Sequence, residues 1–267
     1  MKVVVIGGTG LVGSSVVEIL ADQDYDVVAA SRRTGVDVIT GAGLPQALAG
    51  ADVVIDVLNA PSFEEEIALQ FFETATRQLL AAEAAAGVGH HIALSIVGSE
   101  RLQANGYFRA KLAQEREVQA SSVPYTILRA TQFFEFLGAI VENGAQGDEI
   151  RLAPARIQPI AADDVAIALS RLALAPPRNA TIEVAGPDPY RLDSIVRAFL
   201  SATGDDRRVV EDPRALYFGT GLTDETLMAG EVLRFGHTEF DAWLRSWVRD
   251  HAVHERASLR GPAIHTP

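Results

Sequence analysis

A doubly wound α/β fold, with a parallel sheet covered by helices on both faces and a small C-terminal lobe, is what the sequence predicts. Three observations carry it. Continuous β-branched runs, Lys2-Val-Val-Val-Ile6 and Ala51-Asp-Val-Val-Ile-Asp-Val-Leu58, mark strands buried on both faces. Segments of helical spacing alternate with such runs through the first half, the order that builds a parallel sheet. Between the first strand and the first helix stands a glycine turn, Gly7-Gly8-Thr9-Gly10-Leu11-Val12-Gly13.

The elements follow in order. Leu11, Val12, Ser15, Val16, Ile19 and Leu20 recur at helical spacing as far as Asp22, and Tyr25 to Ala30 is the second strand. Val36 to Thr40 is expected as a short third strand, Leu44 to Leu48 as a short helix, and Ala51 to Leu58 as the fourth strand. Ser62 to Ala86 reads as a long helix, with Ser62 as N-cap ahead of acidic Glu64, Glu65 and Glu66. His91 to Val97 is the fifth strand, Tyr107 to Ser121 a helix, and Tyr125 to Arg129 the sixth strand.

Farther on, Ile157 to Ala161 is expected as a strand leading into a helix capped by Asp163. Pro176-Pro177 closes that helix, Ala180 to Ala185 is a strand, and Arg191 to Thr203 is a helix ending at Gly204. Phe240, Trp243 and Trp247 share helical spacing and read as core rather than as an aromatic ligand box. The expected division is 1–130 with 154–186 as the sheet domain, and 131–153 with 187–250 as a lobe on the ligand side. Residues 251–267 lack periodicity and are expected to form a flexible tail.

Composition excludes several functions. A net charge of −12 and a pI near 4.9 leave no basic stripe for nucleic acid. Zero cysteines rule out disulfides, thiolate metal sites and cysteine nucleophiles. No cluster has metal-ligand spacing, and His90 and His91 are expected in a surface turn. No apolar run is long enough for a membrane span, and Met1-Lys2 leads straight into a strand, so a cytoplasmic protein is expected.

The glycine turn points to a dinucleotide. Gly7 permits the sharp turn, Gly10 lets backbone approach a pyrophosphate, and Gly13 lets the helix pack closely on the strand, with Thr9, Leu11 and Val12 between them. The helix N-terminus adds free N–H groups and a partial positive charge. At the end of the second strand, where an acidic residue would hold the ribose hydroxyls of NAD, the chain has Ser31-Arg32-Arg33. Two cations and a hydroxyl suit a 2′-phosphate, so NADPH is favoured over NADH; a solvated basic turn is the alternative.

The reaction centre is marked by a rare residue. Of 23 basic residues only Lys2 and Lys111 are lysine, and Lys111 stands four after Tyr107. At that spacing both side chains share one helix face. An adjacent ammonium is expected to draw the phenol, ordinarily near pKa 10, toward the working range, so that Tyr107 exchanges a proton with a substrate oxygen. Lys111 would also hold the nicotinamide ribose. Ser95, at the end of the fifth strand, is the candidate to hold the substrate oxygen, with Ser99 as competitor and a bond to backbone as the alternative.

Together these residues resemble the short-chain dehydrogenase/reductase superfamily, in its atypical NmrA-like branch of NAD(P)-binding proteins. The resemblance covers roughly residues 1–250: Gly7-x-x-Gly10-x-x-Gly13, Arg32, Ser95, Tyr107-x-x-x-Lys111 with Glu115, and Tyr125-Thr-Ile-Leu-Arg129-Ala-Thr-Gln-Phe-Phe134. It implies a Rossmann fold, nicotinamide contacts from Ala130, Thr131, Gln132 and Phe133, and an adenosine side lined by Leu58, Asn59, Ala60 and Pro61. It also implies a small-molecule substrate and a candidate homodimer. The chain departs from the usual Arg-Pro at Arg129-Ala130, and only echoes Asn-Asn-Ala-Gly at Leu58-Asn59-Ala60-Pro61.

The expected activity is NADPH-dependent reduction of a carbonyl or quinone-like group on a small apolar or aromatic molecule. Phe133, Phe134, Phe136, Leu137, Tyr217 and Phe218 would wall the substrate, or else form lobe core. A non-catalytic NADP redox sensor that binds a partner protein is one alternative. An epimerase or dehydratase that retains its cofactor is another. Retention of Tyr107 favours an enzyme.

Overall fold

Lys2–Ile6 (β1) sits inside the sheet, and Val3, Val4 and Val5 have no exposed surface. Each such valine contributes about 1.5–3 kcal/mol by burial. In the computed structural model, which describes residues 1–230 and 232–258, β1 is flanked by Asp26–Ala30 (β2) on one side and Val53–Asp56 (β3) on the other, both parallel. His90–Ile96 (β4) and Tyr125–Ala130 (β5) extend the sheet beyond β3. The chain runs from β1 out to β2 and returns across it to β3, so the switch in winding direction falls between β1 and β3. Ligands of doubly wound sheets bind at such a point.

Helices cover both faces. Leu11–Ala21 (α1) packs on one face, where Val12, Val16 and Leu20 meet Val3, Val5 and Ile55. Leu44–Leu48 (α2), Glu65–Ala86 (α3) and Gly106–Ala120 (α4) cover the other around Val4, Val54, Leu79 and Ile127. After β5 come Leu137–Gly144 (α5) and the short strands Ala145–Gln146 (β6), Glu149–Leu152 (β7) and Arg156–Ile157 (β8). Ala162–Ala173 (α6) then returns beside α1, and Ala180–Ala185 (β9) joins the sheet next to β5.

The remaining elements are Tyr190–Arg191 (β10), Leu192–Thr203 (α7), Arg208–Glu211 (β11), Val232–Phe235 (β12) and Phe240–Ser258 (α8), all but β12 building the lobe. Phe134, Phe240 and Trp243 cluster there with ring centroids 5.2–6.0 Å apart, confirming Phe240 and Trp243 as core. The main sheet has seven parallel strands in the order β12-β9-β5-β4-β3-β1-β2. A strand from the segment assigned to the lobe thus completes the sheet.

Several expectations are corrected. Val36 to Thr40 is a turn, not a strand: the Asp37 carboxylate accepts the N–H groups of Ile39 and Thr40, and Gly35, Gly41 and Gly43 have positive φ. Ser62 does not cap α3; its hydroxyl accepts from Glu64 N and shapes the preceding turn. Of Ile157 to Ala161 only Ile157 is in a strand, β8, with an isolated bridge from Ile160 to Phe133.

Asp163 is not the cap of α6 either. The helix starts at Ala162, whose N–H is taken by the Glu135 carboxylate, while Asp163 accepts from Ser15 Oγ. His90 and His91 lie buried in β4 rather than in a surface turn. Residues 251–258 continue α8 instead of forming a tail, and 259–267 lie outside the described residues.

Candidate functional site

The strand ends of β1, β3, β4 and β5 open on one cleft of about 910 Å³, within the range of small-molecule and cofactor sites. The glycine turn lies at one side. Gly7 has φ +85°, which a side chain would strain. A Cβ on Gly13 would sit 2.3 Å from the Gly7 oxygen, so this glycine closes the turn on itself. The close approach to the strands belongs instead to Gly8, where a Cβ would lie 2.8 Å from Ala29 Cα and Val5 O. No side chain caps α1 at Gly10, and Gly10, Leu11, Val12 and Gly13 line the cleft together with Thr9.

Ser31, Arg32 and Arg33 line the same end, as does the turn of Val36 to Ile39, which sequence reasoning had placed in a strand. The Arg33 guanidinium donates to Thr9 O at 2.7 Å, tying this cation to the glycine turn. The Arg32 side chain is exposed at the rim. Ser31 and Thr34 cap the short 3-10 turn between them.

At the centre, Asn105 Oδ1 accepts from Tyr107 N and starts α4, which projects Tyr107 and Lys111 from one face into the cleft. The two do not pair as expected. Tyr107 donates its hydroxyl to Asn59 Oδ1 at 2.7 Å. Lys111 Nζ donates to Leu94 O at 2.8 Å and to Gln114 Oε1, and lies 4.6 Å from the Phe72 ring centre. Burial pushes the phenol above its ordinary value rather than below it, because a phenolate would be desolvated there. Burial also lowers Lys111, to about 8, against the opposing pull of Asp56 and Glu115.

Behind Lys111 runs a polar chain that sequence reasoning missed. Gln114 Nε2 donates to Asp56 Oδ2 at 2.9 Å, and Asp56 Oδ1 accepts from Leu58 N at 3.0 Å. Asp56 is 1% exposed; an acid in the apolar run of the fourth predicted strand was the available signal. Because only two lysines exist, a carbon-labelled lysine spectrum is simple. The Lys111 signal is expected to titrate near 8, and its disappearance in Lys111→Arg makes the assignment.

Ser95 lines the cleft, but its hydroxyl donates to Glu115 Oε1 at 2.5 Å, so its proton is committed away from a substrate oxygen. Glu115 is in turn clamped by Arg129 through bonds of 2.9 and 2.6 Å. Ser99 donates to Ile96 O and does not line the cleft. Of the adenosine-side loop, Leu58, Asn59 and Pro61 line the cleft, whereas Ala60 packs on the lobe core.

Ala130 ends β5, and Thr131, Gln132 and Phe133 follow it along the cleft wall. Thr131 Oγ1 and both polar atoms of the Gln132 amide are buried with no hydrogen-bond partner among the described residues. Buried polar groups are normally paired, and a carboxamide offers both a donor and an acceptor to these. With the glycine turn and uncapped α1, the residues present fit a nicotinamide dinucleotide. On the outer side, Tyr217 and Phe133 line the cleft with Phe63, Phe136 and Phe218, but Phe134 is 1% exposed and belongs to the lobe core. Phe63 was missed because it lies next to a helix start with no periodic partner.

Among the described residues no group of acidic and histidine side chains could hold a metal, and no helix is long and apolar enough to cross a membrane.

Solved structures share the fold. A short-chain dehydrogenase/reductase superfamily protein from Agrobacterium tumefaciens, with bound NAD, aligns at TM-score 0.70 and 19% identity over 98% of this chain and 100% of its own. The dTDP-4-dehydrorhamnose reductase of Bacillus anthracis, in complex with NADP, aligns at TM-score 0.70 and 14% identity over 93% and 99%. TunA, an NAD-dependent NDP-hexosamine 5,6-dehydratase, aligns at TM-score 0.68 and 17% identity over 94% and 98%. No curated protein matches the chain in sequence. Residues 7–174, from the first glycine of the turn to the end of α6, match the family described as NAD(P)H-binding, more than half of the sequence. The chain belongs to that NAD(P)H-binding family, with a Rossmann-like fold of the short-chain dehydrogenase/reductase type.

Proposed function

We propose that the protein is an NADPH-dependent reductase of a carbonyl or quinone-like group on a small, uncharged, apolar or aromatic molecule. One observation carries this: Tyr107, its phenol protonated, lines the same cleft as the glycine turn and the unpaired Thr131 and Gln132 atoms. The glycine turn and the α1 terminus would hold the pyrophosphate, Arg32 the 2′-phosphate, and Thr131 and Gln132 the carboxamide. When bound, NADPH supplies a hydride for the electrophilic carbon.

The chain supplies the proton. A phenol whose pKa is raised by burial stays protonated across the working range, which suits donation to an oxygen gaining charge better than abstraction from an alcohol. The Tyr107 O–H bond breaks as the substrate O–H bond forms, and water returns the proton. Lys111, one helical turn on, opposes the negative charge left on the phenol oxygen. The phenol donates its hydrogen bond to Asn59 Oδ1 here, so the hydroxyl turns from Asn59 to the substrate oxygen as it gives up its proton.

The lining charges support an uncharged substrate. Among the described residues the cations lining the cleft are Arg32, Arg33 and Lys111; the first two stand by the glycine turn and the third is held by Leu94 O and Gln114. Among the described residues a nucleotide-diphosphate sugar would meet no counter-charge at the aromatic end. The NADP choice rests on Arg32. Arg32→Ala is expected to weaken NADPH roughly 10–100-fold in calorimetry while NADH changes little, since a charge-assisted phosphate contact contributes about 1.5–3 kcal/mol. Equal losses for both would remove the preference. NADPH oxidation against a panel of ketones and quinones tests the reaction itself.

A further inference from the structure

The turn Tyr217 to Thr220 carries a residue out of place. Tyr217 and Thr220 exchange backbone hydrogen bonds of 2.8 and 3.0 Å, and the two residues between them both have positive φ, +46° at Phe218 and +84° at Gly219. That is the two-residue hairpin turn whose first central position favours Asn, Asp or Gly. A bulky aromatic there is strained, and such strain gathers at ligand-binding sites when surrounding bonds hold it.

Two asparagines hold it. Asn105 Nδ2 donates to Phe218 O at 2.8 Å, and Phe218 N donates to Asn143 Oδ1 at 3.0 Å. The result is that the Phe218 ring lines the cleft, 5.5 Å from the Phe136 ring and 4.8 Å from Tyr217. Asn105 is also the residue whose Oδ1 accepts from Tyr107 N, so one amide joins the strained turn to the start of the helix bearing the proton donor. Phe63 lines the same cleft, its ring 4.9 Å from that of Tyr107.

We infer that the Phe218 turn is the specificity-determining wall of the cleft for a flat, uncharged ring, and that Asn105 and Asn143 are the positioning residues that hold it. This deepens the reductase reading and rests on its placement of the substrate. The strain is retained because it keeps an aromatic ring on a cleft wall shared with Phe136, Tyr217 and Phe63, against which a planar ring stacks and an acyclic chain does not. Asn105 ties that wall to the start of the helix that carries Tyr107.

The test uses the full chain loaded with NADP⁺ and two probes, menadione as the flat ring and 2-hexanone as the acyclic ketone, with affinities read by calorimetry. The chain has no cysteine, so arylation of a thiol cannot imitate binding. Asn143 is exposed, so Asn143→Ala releases the turn at little cost to the core. Asn105→Asp keeps the acceptor for Tyr107 N but sets a carboxylate oxygen against Phe218 O. Both variants are expected to weaken menadione about 10-fold, as expected for loss of a single anchoring bond, while NADP⁺ affinity and thermal midpoint stay near wild type. Wild type is expected to bind menadione in preference to 2-hexanone.

Menadione affinity unchanged in both variants, or no preference for it in wild type, would overturn the wall. Menadione that binds with this dependence but is never reduced with NADPH would leave the wall standing and sink the reductase reading alone.

Discussion

Tyr107→Phe is expected to lower kcat/KM for carbonyl or quinone reduction by about 10²–10⁴-fold, the usual contribution of a positioned proton donor. The substitution removes one oxygen from a buried ring that packs against Phe63, Phe72 and Phe108, so the fold and the cleft should persist. NADPH affinity is expected to stay near wild type, because the glycine turn and Arg32 are untouched. Full activity in Tyr107→Phe on a true substrate would refute the proton-donor assignment.

The pH profile adds a second readout. Burial holds the phenol protonated beyond its ordinary range, so Tyr107 itself sets no alkaline limit near neutrality. Lys111, lowered to about 8, does. Its charge is present below that value and lost above it, so kcat is expected to fall through an apparent pKa near 8. An alkaline limit that persists unchanged in Lys111→Met would assign it elsewhere.

Glu83→Ala is expected to cost about 3–5 kcal/mol of stability, the range for breaking a buried ion pair from one side. For a chain of this size that corresponds to a thermal midpoint lower by roughly 6–20 °C. Glu83 and His91 are both 0% exposed and are joined at 2.9 and 3.0 Å between α3 and β4. Neither residue lines the cleft, so menadione and NADP⁺ affinities measured at low temperature should not change.

The pair also sets a direction with pH. Desolvation raises Glu83; at His91 desolvation lowers the value, but the Glu83 charge, the hydrogen bond to Glu83 and the Asp56 charge together raise it. The native state therefore binds more protons than the unfolded chain above the unfolded carboxyl and imidazole values. Stability from this pair is fully present below those values and is lost as pH rises through the folded ones. Denaturant midpoints measured on the alkaline side should fall in wild type and be flatter in Glu83→Ala.

What was legible in the sequence was short in range. The glycine turn, the Tyr107 and Lys111 spacing, and Ser31-Arg32-Arg33 each lie within a few residues, and all line one cleft. Their chemistry was less legible than their position. Proximity along α4 suggested that the ammonium lowers the phenol, whereas Asn59, 48 residues away, takes the hydroxyl and burial raises it. Ser95 was chosen for its place at a strand end, yet Glu115 on the covering helix takes its proton. The Val36 and Val38 alternation imitated a strand, but Asp37 bonding its own backbone made a turn of it.

Binary pattern and local spacing therefore determined six of the seven sheet strands, the helices of the first half and the glycine turn, since those depend on neighbours within one or two turns of chain. Tertiary structure alone decided the partners of the reactive groups. The bonds from Gln114 to Asp56 and from Asn105 to Phe218 span 58 and 113 residues. No local propensity encodes a hydrogen bond across such a distance; it exists because packing brings the two groups together, and for Gln114 and Asp56 buries both away from water.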